Sequence, residues 1–540
     1  RILFGALLLA VQLPVFYYAW RSETFWERRQ NLFATFGRQP LLIARASAVL
    51  INLQAGVILF TVCRASITYL RSTVIGRLLA VADCRTVHRA IALCMLFTTL
   101  IHITPHYLNI ATLSANSPPG ETDALMQALL HPASLTGHAM LAILIAMTIT
   151  SIPKVRRINY EAFSYTHHLY LAFFPLLLLH GAFCFFKEDQ QSSCSEAGGS
   201  FWKYALPALL CFGAEKIYIA VRSKGYVAVL RVYEHPSQVL QVHIERPPNF
   251  RYHAGQWAYL SFTEASPWQK HPFTMTSAPE EDYLCFHVRA VGDWTRRLAV
   301  NFGCRFDLES TEPGAHEVRL SCGKAVLTSN PLLMAKIDGP YGVACEDIFN
   351  YEISVMVGGG IGVTPFASVL KSLWYRMNGP STPVKLEKVY FMWICRDLKA
   401  FEWFHDLLGT LEDENLRRFL IIRVYLTGAL SPDQMWNVAV RDDHDRDALT
   451  GWRTPTYYGR PDFNAFFSQL AGAHPGKDLG VFCCGPPSLT AALHQCCRRH
   501  TMTKDGGTRF HFHKGRQRGE RKHTVACTRK HRLTVPHRAF

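Results

Sequence analysis

The sequence lacks several marks of common protein classes. None of its 16 cysteines forms a C-x-x-C pair, which argues against zinc ribbons, thioredoxin-like sites and covalently attached c-type haem. Charged residues make up only 18% of the chain, below the roughly 25% of an ordinary soluble domain. No N-x-[ST] sequon and no EF-hand loop occur. The 49% hydrophobic content excludes general disorder.

The 540 residues exceed one ordinary domain, for which roughly 100–200 residues is usual. A mean hydropathy of +0.05 conceals two unlike halves, because the long apolar runs lie in the first 222 residues. A bilayer core of about 30 Å needs about 20 apolar residues per helix. The sequence therefore predicts six transmembrane helices, at about 2–20, 41–63, 91–112, 133–152, 162–186 and 201–221.

Loop charges predict the orientation of these helices, since cytosolic loops carry an excess of Lys and Arg. The loop 64–89 has five arginines against one acidic residue, and the loop 153–161 has three basic residues against one. The loop 113–132 has two acidic residues and no basic one. The first two loops should therefore be cytosolic and the third external, although the mildly basic loop 21–40 fits poorly. Both ends of the membrane region should face the cytosol, in the plasma membrane or an endomembrane.

The net charge of +16 divides unevenly along the chain. Residues 1–222 carry +8, residues 223–514 carry +1 and residues 515–540 carry +7. The loops that set the orientation hold most of the first excess, and a basic tail holds nearly all the rest. The charge is therefore no sign of nucleic-acid binding. Because the chain opens at Arg1 rather than Met, we expect further residues to precede it.

Four histidines that lie in or directly beside the third and fifth predicted helices have the spacing of haem ligands. His88 and His102 are 14 residues apart, which is about 21 Å and nearly four whole turns, so they share one helix face. His167 and His180 are 13 residues apart, which requires some helix distortion or the use of His168 instead. Both helices should run outward, so the pairs match in depth and predict two bis-histidine haems stacked across the bilayer.

A histidine inside a membrane helix has a plainer explanation than metal binding. A single one is more often satisfied by hydrogen bonds within a helix bundle. Two pairs at matched depths reverse that preference, because ionisable groups in a membrane are costly and are usually functional.

A motif around the fifth helix resembles a known family. The run Tyr-Thr-His-His-Leu at 165–169, with His180 after it, looks like the fifth helix of the superoxide-generating NADPH oxidases. The histidine spacing of the third helix is similar to that family as well. The resemblance implies that Arg45 and His106 line an oxygen site beside the outer haem. The alternatives are an interfacial arginine and a histidine that serves helix packing.

From about residue 224 the pattern changes to short β-type runs separated by turns, which predicts an antiparallel barrel. The runs Tyr226–Tyr233, Val239–Glu245 and Trp257–Phe262 precede an H-P-F-T motif, and a strand at Tyr283–Ala290 follows it. This order resembles the FAD domain of the same family. The resemblance implies that FAD binds at His271, Pro272, Phe273, Thr274, Thr276, Ser277, Arg289 and Thr295. An arginine with hydroxyl groups suits a pyrophosphate, and a turn with a surface arginine is the alternative.

A buried-strand run, Ile353–Val357, leads into a glycine-rich loop and a helix through about Tyr375. Such an order makes a phosphate cradle, because small residues let the backbone approach and helix N–H groups point at the anion. The texture of parallel strands recurs at Val389–Cys395 and Leu420–Leu426. The cradle residues are Gly358, Gly360, Gly362, Thr364 and Pro365.

Arg396 follows the second of these strands before any acidic residue. This order favours the 2′-phosphate of NADPH over the free ribose of NADH. The resemblance adds Arg460 as a second phosphate contact and places Cys484, Gly485 and Pro486 beside the nicotinamide, with Cys484 in a catalytic role. A buried core thiol is the alternative for Cys484.

The end of the chain departs from the family. There, a motif like the one at 508–514 is followed within a few residues by a terminal aromatic side chain that stacks on the flavin. Here Gly515 begins a basic tail, and nothing around Phe540 matches, so we do not assign the stacking role to Phe540. The tail is either aberrant, for example by read-through of an unspliced intron, or a genuine extension. In both cases we expect it to be disordered.

Together these features predict a membrane α-helical bundle of six transmembrane helices, an antiparallel β-barrel FAD domain and an α/β parallel-sheet NADPH domain. The expected boundaries are 1–222, 223–345 and 346–514, with the tail at 515–540. The resemblance implies an NADPH oxidase that passes electrons from cytosolic NADPH through FAD and two b-type haems to molecular oxygen, producing superoxide. It also implies a small membrane subunit and cytosolic activators that include a small GTPase. The alternatives are a ferric-chelate reductase on the same electron path and, in a different class, a non-enzymatic channel or inactive membrane scaffold.

Overall fold

In a computed structural model the chain forms two compact units, residues 1–222 and 223–540. Most of the predicted helix at 2–20, and all of the tail after Gly515, lie outside the described residues. The structure describes residues 38–71, 84–116, 129–183, 201–223, 225–263, 269–304, 333–342, 344–379, 385–413, 419–430, 446–501 and 507–515, with short pieces at 12–18, 20–21, 73, 126, 306, 324–326, 432 and 434–436.

The first unit consists of helices and short connecting turns in its described residues. Beside a short helical piece at 12–18, its helices are α1 (Arg38–Phe60), α2 (Arg64–Arg71), α3 (Cys84–Asn116), α4 (Pro132–Ser151), α5 (Pro153–Ile158), α6 (Tyr160–His167), α7 (Tyr170–Ala182) and α8 (Phe201–Arg222). Five stretches of the described chain are long and apolar enough to span a membrane: Gln39–Phe60, Cys84–Thr112, Pro132–Ser151, Tyr160–Ala182 and Trp202–Arg222. They correspond to the second to sixth predicted helices, and the first predicted helix stays a prediction.

The fifth predicted span is interrupted in the middle. Helix α6 ends at His167, and α7 begins at Tyr170 after a turn through His168 and Leu169. This turn is the distortion that the spacing of 13 residues between His167 and His180 requires. His168 bonds back to its own helix, with its Nδ1 atom 2.6 Å from the carbonyl oxygen of Ser164.

Small residues bring α1 and α8 close together. A Cβ atom on Gly56 would lie 2.6 Å from the carbonyl oxygen of Tyr204, so only glycine permits this approach. Close backbone contact through small residues is a usual device of membrane helices, because lipid is as apolar as leucine and gives no hydrophobic drive. The centre of the bundle is an apolar cluster formed by Ala55, Met95, Met140, Leu144, Phe173, Leu177 and Ala205.

The second unit opens with an antiparallel barrel, as predicted. Its strands are β1 (Tyr226–His235), β2 (Val239–Glu245), β3 (Trp257–Phe262), β4 (His271–Thr274), β5 (Tyr283–Arg289), β6 (Lys324–Val326) and β7 (Met334–Tyr341). They run in the order β4-β3-β7-β1-β2-β5, with β6 paired to β1. A bridge between Met275 and Phe286 joins the two ends of this order and closes the barrel. Helix α9 (Asp293–Asn301) buries Trp294 and Leu298 against the barrel core.

A parallel sheet follows in the same unit, also as predicted. Its strands are β8 (Ile353–Gly359), β9 (Lys388–Cys395), β10 (Leu420–Leu426), β11 (Thr456–Tyr458), β12 (Asp478–Cys484) and β13 (Arg509–Lys514), in the order β11-β10-β9-β8-β12-β13. All seven residues of β8 are buried, as expected of a strand covered on both faces. The α-helices of this part are α10 (Thr364–Asn378), α11 (His405–Asp413), α12 (Phe463–Ala473) and α13 (Pro487–His500).

Short 3-10 helices connect these elements at Ala344–Asn350, Gly360–Val363 and Leu398–Phe404. The glycine-rich loop, Arg396, Arg460 and Cys484 all follow or end strands of the parallel sheet. Because these strands are parallel, their carboxyl ends lie at one edge, where sheets of this kind bind ligands.

Candidate active site

The outer histidine pair joins α3 to α7. The ring centres of His102 and His180 are 6.4 Å apart. The Nδ1 atom of His102 lies 2.9 Å from the carbonyl oxygen of Ala44, and that of His180 lies 2.8 Å from the carbonyl oxygen of Ala133. A carbonyl oxygen only accepts, so both Nδ1 atoms carry the proton and each Nε2 atom keeps a lone pair. Such a bond orients a metal-binding histidine and selects its tautomer.

The inner histidine pair joins α3 to the end of α6. The ring centres of His88 and His167 are 6.2 Å apart. The hydroxyl of Thr61 is 2.8 Å from the Nδ1 atom of His88. The Nδ1 atom of His167 is buried and has no hydrogen-bond partner among the described residues. Thr61, directly after the end of α1, therefore orients the His88 ring.

Both gaps suit an iron atom between two imidazoles. A metal–imidazole bond is about 2 Å long, and a ring centre lies about 1 Å beyond its nitrogen, so two rings on one metal have centres about 6 Å apart. The observed distances of 6.2 and 6.4 Å match this value. No group of three or more His, Cys, Asp or Glu within the described ranges could hold a bare metal ion. A haem needs only two protein ligands on its axis, so the residues present fit two haems.

Space beside the outer pair is kept by a small residue. A Cβ atom on Gly137 would lie 3.2 Å from the Cε1 atom of His180. The His106 ring is 4.8 Å from the His102 ring, edge to face. Arg45 directly follows Ala44, whose carbonyl oxygen orients His102. The fold thus brings both predicted oxygen-site residues to the outer pair.

The H-P-F-T motif forms strand β4. It is therefore not a β-turn, which was the alternative explanation of the motif. The His271 ring stacks on Trp294 at 4.1 Å, and the Phe273 ring lies parallel to Trp294 at 6.0 Å. Two further predicted residues point inward. Thr276 and Ser277 are 1% and 0% exposed, and their hydroxyls bond His287 at 2.9 Å and the backbone N–H of Cys285 at 3.0 Å. The hydroxyls of these two residues are therefore engaged within the barrel.

Arg289, at the end of β5, has the signature of an anion site. Its Nε atom is buried and has no partner among the described residues. A buried guanidinium nitrogen that lacks a partner is costly, and a phosphate removes that cost with a charge-assisted hydrogen bond. Thr295 lies at the start of α9, where its hydroxyl accepts from the Gly292 N–H at 3.0 Å.

The glycine-rich loop joins β8 to α10. Gly360 has φ +55°, in the left-handed region that favours glycine. A Cβ atom on Gly362 would lie 2.4 Å from the carbonyl oxygen of Cys484, and one on Gly359 would lie 2.9 Å from Pro486. Only glycine therefore lets the loop after β8 approach the loop after β12. Helix α10 begins directly after this loop, and the positive end of its dipole favours an anion.

Cys484 lies on the other side of the glycine-rich loop, and its side chain is a neutral thiol. It is 2% exposed, and burial raises its pKa to about 12. The thiolate is the reactive form of cysteine, so this side chain is no nucleophile at neutral pH. Gly515 packs against it, because a Cβ atom on Gly515 would lie 3.0 Å from the Cβ of Cys484.

The two predicted phosphate arginines follow different strands of the parallel sheet. Arg396 comes directly after β9 and is exposed. Arg460 comes after β11 and is also exposed, and Gly459 before it has φ +86°. Strand β10 lies between β9 and β11, so both arginines lie at the same edge as the glycine-rich loop.

Two polar contacts in the structure were not predicted from the sequence. The Glu215 carboxylate, only 6% exposed, accepts hydrogen bonds from the N–H groups of Ala65 and Ser66 and from the Ser66 hydroxyl. It thereby caps the start of α2 from another helix. Ser237 donates to Asp397 across 160 residues of chain. An acidic residue in an apolar helix was a signal for the first contact, but no local pattern indicates the second.

Three family models match the chain. A ferric reductase like transmembrane component matches residues 47–178, an FAD-binding domain matches 225–345 and a ferric reductase NAD binding domain matches 351–498. A solved ferredoxin NADP+ reductase from Neisseria gonorrhoeae, with bound FAD and NADP, is similar at 15% identity and a TM-score of 0.35, over 53% of this chain and 98% of that one. Because this TM-score is too low to assign a fold, we assign the fold from the strand order of the two sheets.

Relatives match over most of the chain. The sequence is 34% identical to a superoxide-generating NADPH oxidase heavy chain of Dictyostelium discoideum, over 87% of this chain and 89% of that protein. It is 32% identical to NADPH oxidase 3 of Homo sapiens, over 93% and 95% respectively. Fold and site thus define an integral membrane oxidoreductase with FAD- and NADPH-binding domains. The chain belongs to the NADPH oxidase family.

Proposed function

We propose that the chain passes electrons from NADPH in the cytosol, through FAD and two b-type haems, to molecular oxygen on the opposite side of the membrane, and that the product is superoxide. The observation that carries the proposal is the pair of imidazole gaps, 6.2 Å between His88 and His167 and 6.4 Å between His102 and His180. The ligands on α3 are separated by about 21 Å along the helix, which is most of a hydrocarbon core of about 30 Å.

The carboxyl edge of the parallel sheet binds the nucleotide. Arg396 and Arg460 hold phosphate groups of NADPH, because planar guanidinium groups match phosphate oxygens. The glycine-rich loop holds the pyrophosphate at the start of α10. Cys484 packs beside the nicotinamide, and its raised pKa keeps it from reacting there.

The barrel binds the flavin along β4 and at Arg289. The Nε atom of Arg289, which has no partner among the described residues, anchors the flavin pyrophosphate. When bound, FAD takes two electrons as a hydride and releases them singly, as haem iron requires. The stack on Trp294 at 4.1 Å orients the His271 ring beside the flavin.

The four helix histidines would hold the two haems, which would supply one-electron transfer across the membrane to oxygen. Arg45 and His106 lie beside the outer pair and stabilise the anionic product, Arg45 through its positive charge and His106 through a hydrogen bond. The proposal keeps the expected orientation, with the reductase unit cytosolic, in the plasma membrane or an endomembrane. It also keeps the small membrane subunit and the small GTPase that the family resemblance implies.

A ferric-chelate reductase is the second candidate, and the names of two matching family models favour it. It uses the same electron path and differs only in the acceptor. Isolated membranes that contain the full chain separate the two. With NADPH, we expect reduced-haem absorbance and superoxide detected by a superoxide-specific probe. Ferrous iron without superoxide, in the presence of both acceptors, contradicts the oxidase. No NADPH-dependent haem reduction at all contradicts both and favours an inactive scaffold.

A further inference from the structure

The turn between β1 and β2 has a backbone conformation that its residues rarely adopt. Ser237 has φ +61° and Gln238 has φ +58°, in the left-handed region where a side chain is unfavourable. The flanking residues His235 and Val239 are paired across the hairpin. Strain of this kind persists only where surrounding contacts hold it, and it is often found at functional positions.

Contacts from the NADPH domain hold this turn. Ser237 donates a hydrogen bond from its hydroxyl to the Oδ2 atom of Asp397. The Trp403 indole donates to the carbonyl oxygen of Pro236 at 3.0 Å. Beside the turn, the buried ring of His287 contacts the ring of Phe404 at 4.5 Å. The tip of the FAD barrel is therefore docked on the segment that follows β9.

That segment begins with Arg396, whose backbone is immobilised from the other side. A Cβ atom on Gly428 would lie 1.9 Å from the carbonyl oxygen of Arg396, so only glycine fits there. The Thr427 N–H donates to the carbonyl oxygen of Cys395 at 2.7 Å. The Arg396 side chain is exposed and extends from a fixed point at the ligand-binding edge of the sheet.

Asp397 is the neighbour of Arg396, and both of its oxygens are engaged elsewhere. Its Oδ1 atom accepts from the Lys399 N–H at 3.1 Å and caps the 3-10 helix that starts at Leu398. Its Oδ2 atom accepts from Ser237. An acidic residue after the second strand ordinarily binds the ribose 2′-hydroxyl of NADH, whereas an arginine there accommodates a 2′-phosphate. An Asp397 carboxylate turned toward Arg396 favours NADH and repels NADPH.

We propose that Ser237, a residue of the FAD barrel, sets the coenzyme specificity of the NADPH domain by holding Asp397 away from the 2′-phosphate position beside Arg396. Ser237 is a positioning residue, since it acts through Asp397. Specificity of this kind comes from moving a repulsive group as much as from adding an attractive one. The inference rests on the proposed role of Arg396, and not on the identity of the final electron acceptor.

The test measures NADPH- and NADH-dependent reduction of ferricyanide by the full chain in membranes. Ferricyanide takes electrons from the reductase module, so the assay needs neither haem nor oxygen. For Ser237→Ala we expect KM for NADPH to rise about tenfold with kcat within about twofold, because the freed carboxylate repels the phosphate. KM for NADH should stay equal or fall, so the preference for NADPH drops about tenfold.

Two further variants make the result specific. Asp397→Asn lacks the repelling charge, so Ser237→Ala in the Asp397→Asn background should keep the NADPH preference. Gln238→Gly relaxes the same turn without touching Asp397 and should also keep it. An unchanged ratio of the two coenzymes in Ser237→Ala overturns the proposal. An equal loss with both coenzymes also overturns it, because the contact is then only structural.

Arg396→Ala separates this inference from the assignment beneath it. Loss of NADPH preference in Arg396→Ala, with none in Ser237→Ala, leaves the phosphate role standing and removes the role of Ser237. An unchanged preference in Arg396→Ala removes the phosphate role and the inference with it.

Discussion

The two units of the chain differ in how they distribute apolar and polar side chains between surface and interior. In the membrane unit Leu93 and Phe97 are 62% and 66% exposed, whereas Ser47 and Thr98 are 0% and 4% exposed and donate to backbone carbonyl oxygens. In the reductase unit the apolar strand β8 is wholly buried. The reason is the solvent: lipid leaves no gain in turning a leucine inward, while polar groups must be satisfied inside the bundle. Polar side chains therefore mark the site in the first unit, and glycines mark it in the second.

The largest expected effect comes from breaking a polar site in the membrane unit. His102→Leu removes one axial ligand of the outer haem, so we expect haem content to halve and superoxide output to fall by at least about tenfold. Absorbance spectroscopy and a superoxide assay measure both. His168→Leu is the matched control, because its ring bonds its own helix at 2.6 Å and both haems should remain. Parental superoxide output from His102→Leu contradicts the ligand assignment.

A glycine of the reductase unit should be the next most sensitive. In Gly362→Ala the new Cβ lies 2.4 Å from the carbonyl oxygen of Cys484, so the two loops must separate. We expect NADPH-dependent ferricyanide reduction to fall by about tenfold or more, since small displacements at a binding site are costly. Gly409→Ala, in α11 with nothing within 4 Å, should keep full activity and gain helix stability. Equal activities of the two variants would show that the approach is not needed.

A glycine of the membrane unit should affect stability rather than chemistry. In Gly56→Ala the new Cβ lies 2.6 Å from the carbonyl oxygen of Tyr204, so α1 and α8 must move apart. We expect the midpoint for thermal loss of haem absorbance to fall by several degrees, as overpacking usually costs about 1–3 kcal/mol. Gly213→Ala lies in α8 with no neighbour within 4 Å, and its midpoint should equal that of the parent. An equal fall of the midpoint in both variants would show that the loss does not come from the contact between α1 and α8.

The smallest expected effect is a pH dependence confined to the reductase unit. Burial, with Lys371 nearby, lowers the pKa of His243 to about 4. The unfolded chain then takes up a proton below about pH 6.5 while the folded unit does not. Stability is therefore complete above that pH and declines as the pH falls toward 4. The unfolding midpoint is monitored by the FAD fluorescence that is released on heating. Between pH 7 and pH 5 this midpoint should fall by about 1–2 °C less in His243→Gln than in the parent. An identical slope in the variant and the parent would assign the decline to other groups.

Much of the architecture follows from local patterns. Five of the six predicted helices correspond to apolar helices of the structure within a few residues, apart from the earlier start of α3, because length and apolar content are properties of a single segment. Strands β2, β3 and β10 have the bounds that their β-type runs predicted. The glycine-rich loop lies between a buried strand and a helix, as its order indicated. Each of these features depends on neighbours in the chain and so is legible in the sequence.

Contacts between distant segments were not legible in the same way. The spacing of His167 and His180 called for a distortion, but the turn at His168 and Leu169 came only from the structure. The sequence pointed to hydroxyls at Thr276 and Ser277 as flavin contacts, whereas the fold turns both inward. Side-chain direction depends on which face of a strand packs against the core, and that is decided by every strand of the barrel together.

By itself the sequence determined the order of the parts: an apolar bundle with two histidine pairs, a β-type FAD domain and a strand–glycine–helix unit for NADPH. These are set by periodicity, spacing and residue type, which act over one or a few turns of chain. The tertiary structure alone decided three contacts. These are the distances between the paired histidine rings, the approach of Gly362 to the carbonyl oxygen of Cys484, and the hydrogen bond from Ser237 to Asp397. Each of those depends on segments that lie far apart in sequence, and only packing of the whole unit brings their atoms within reach.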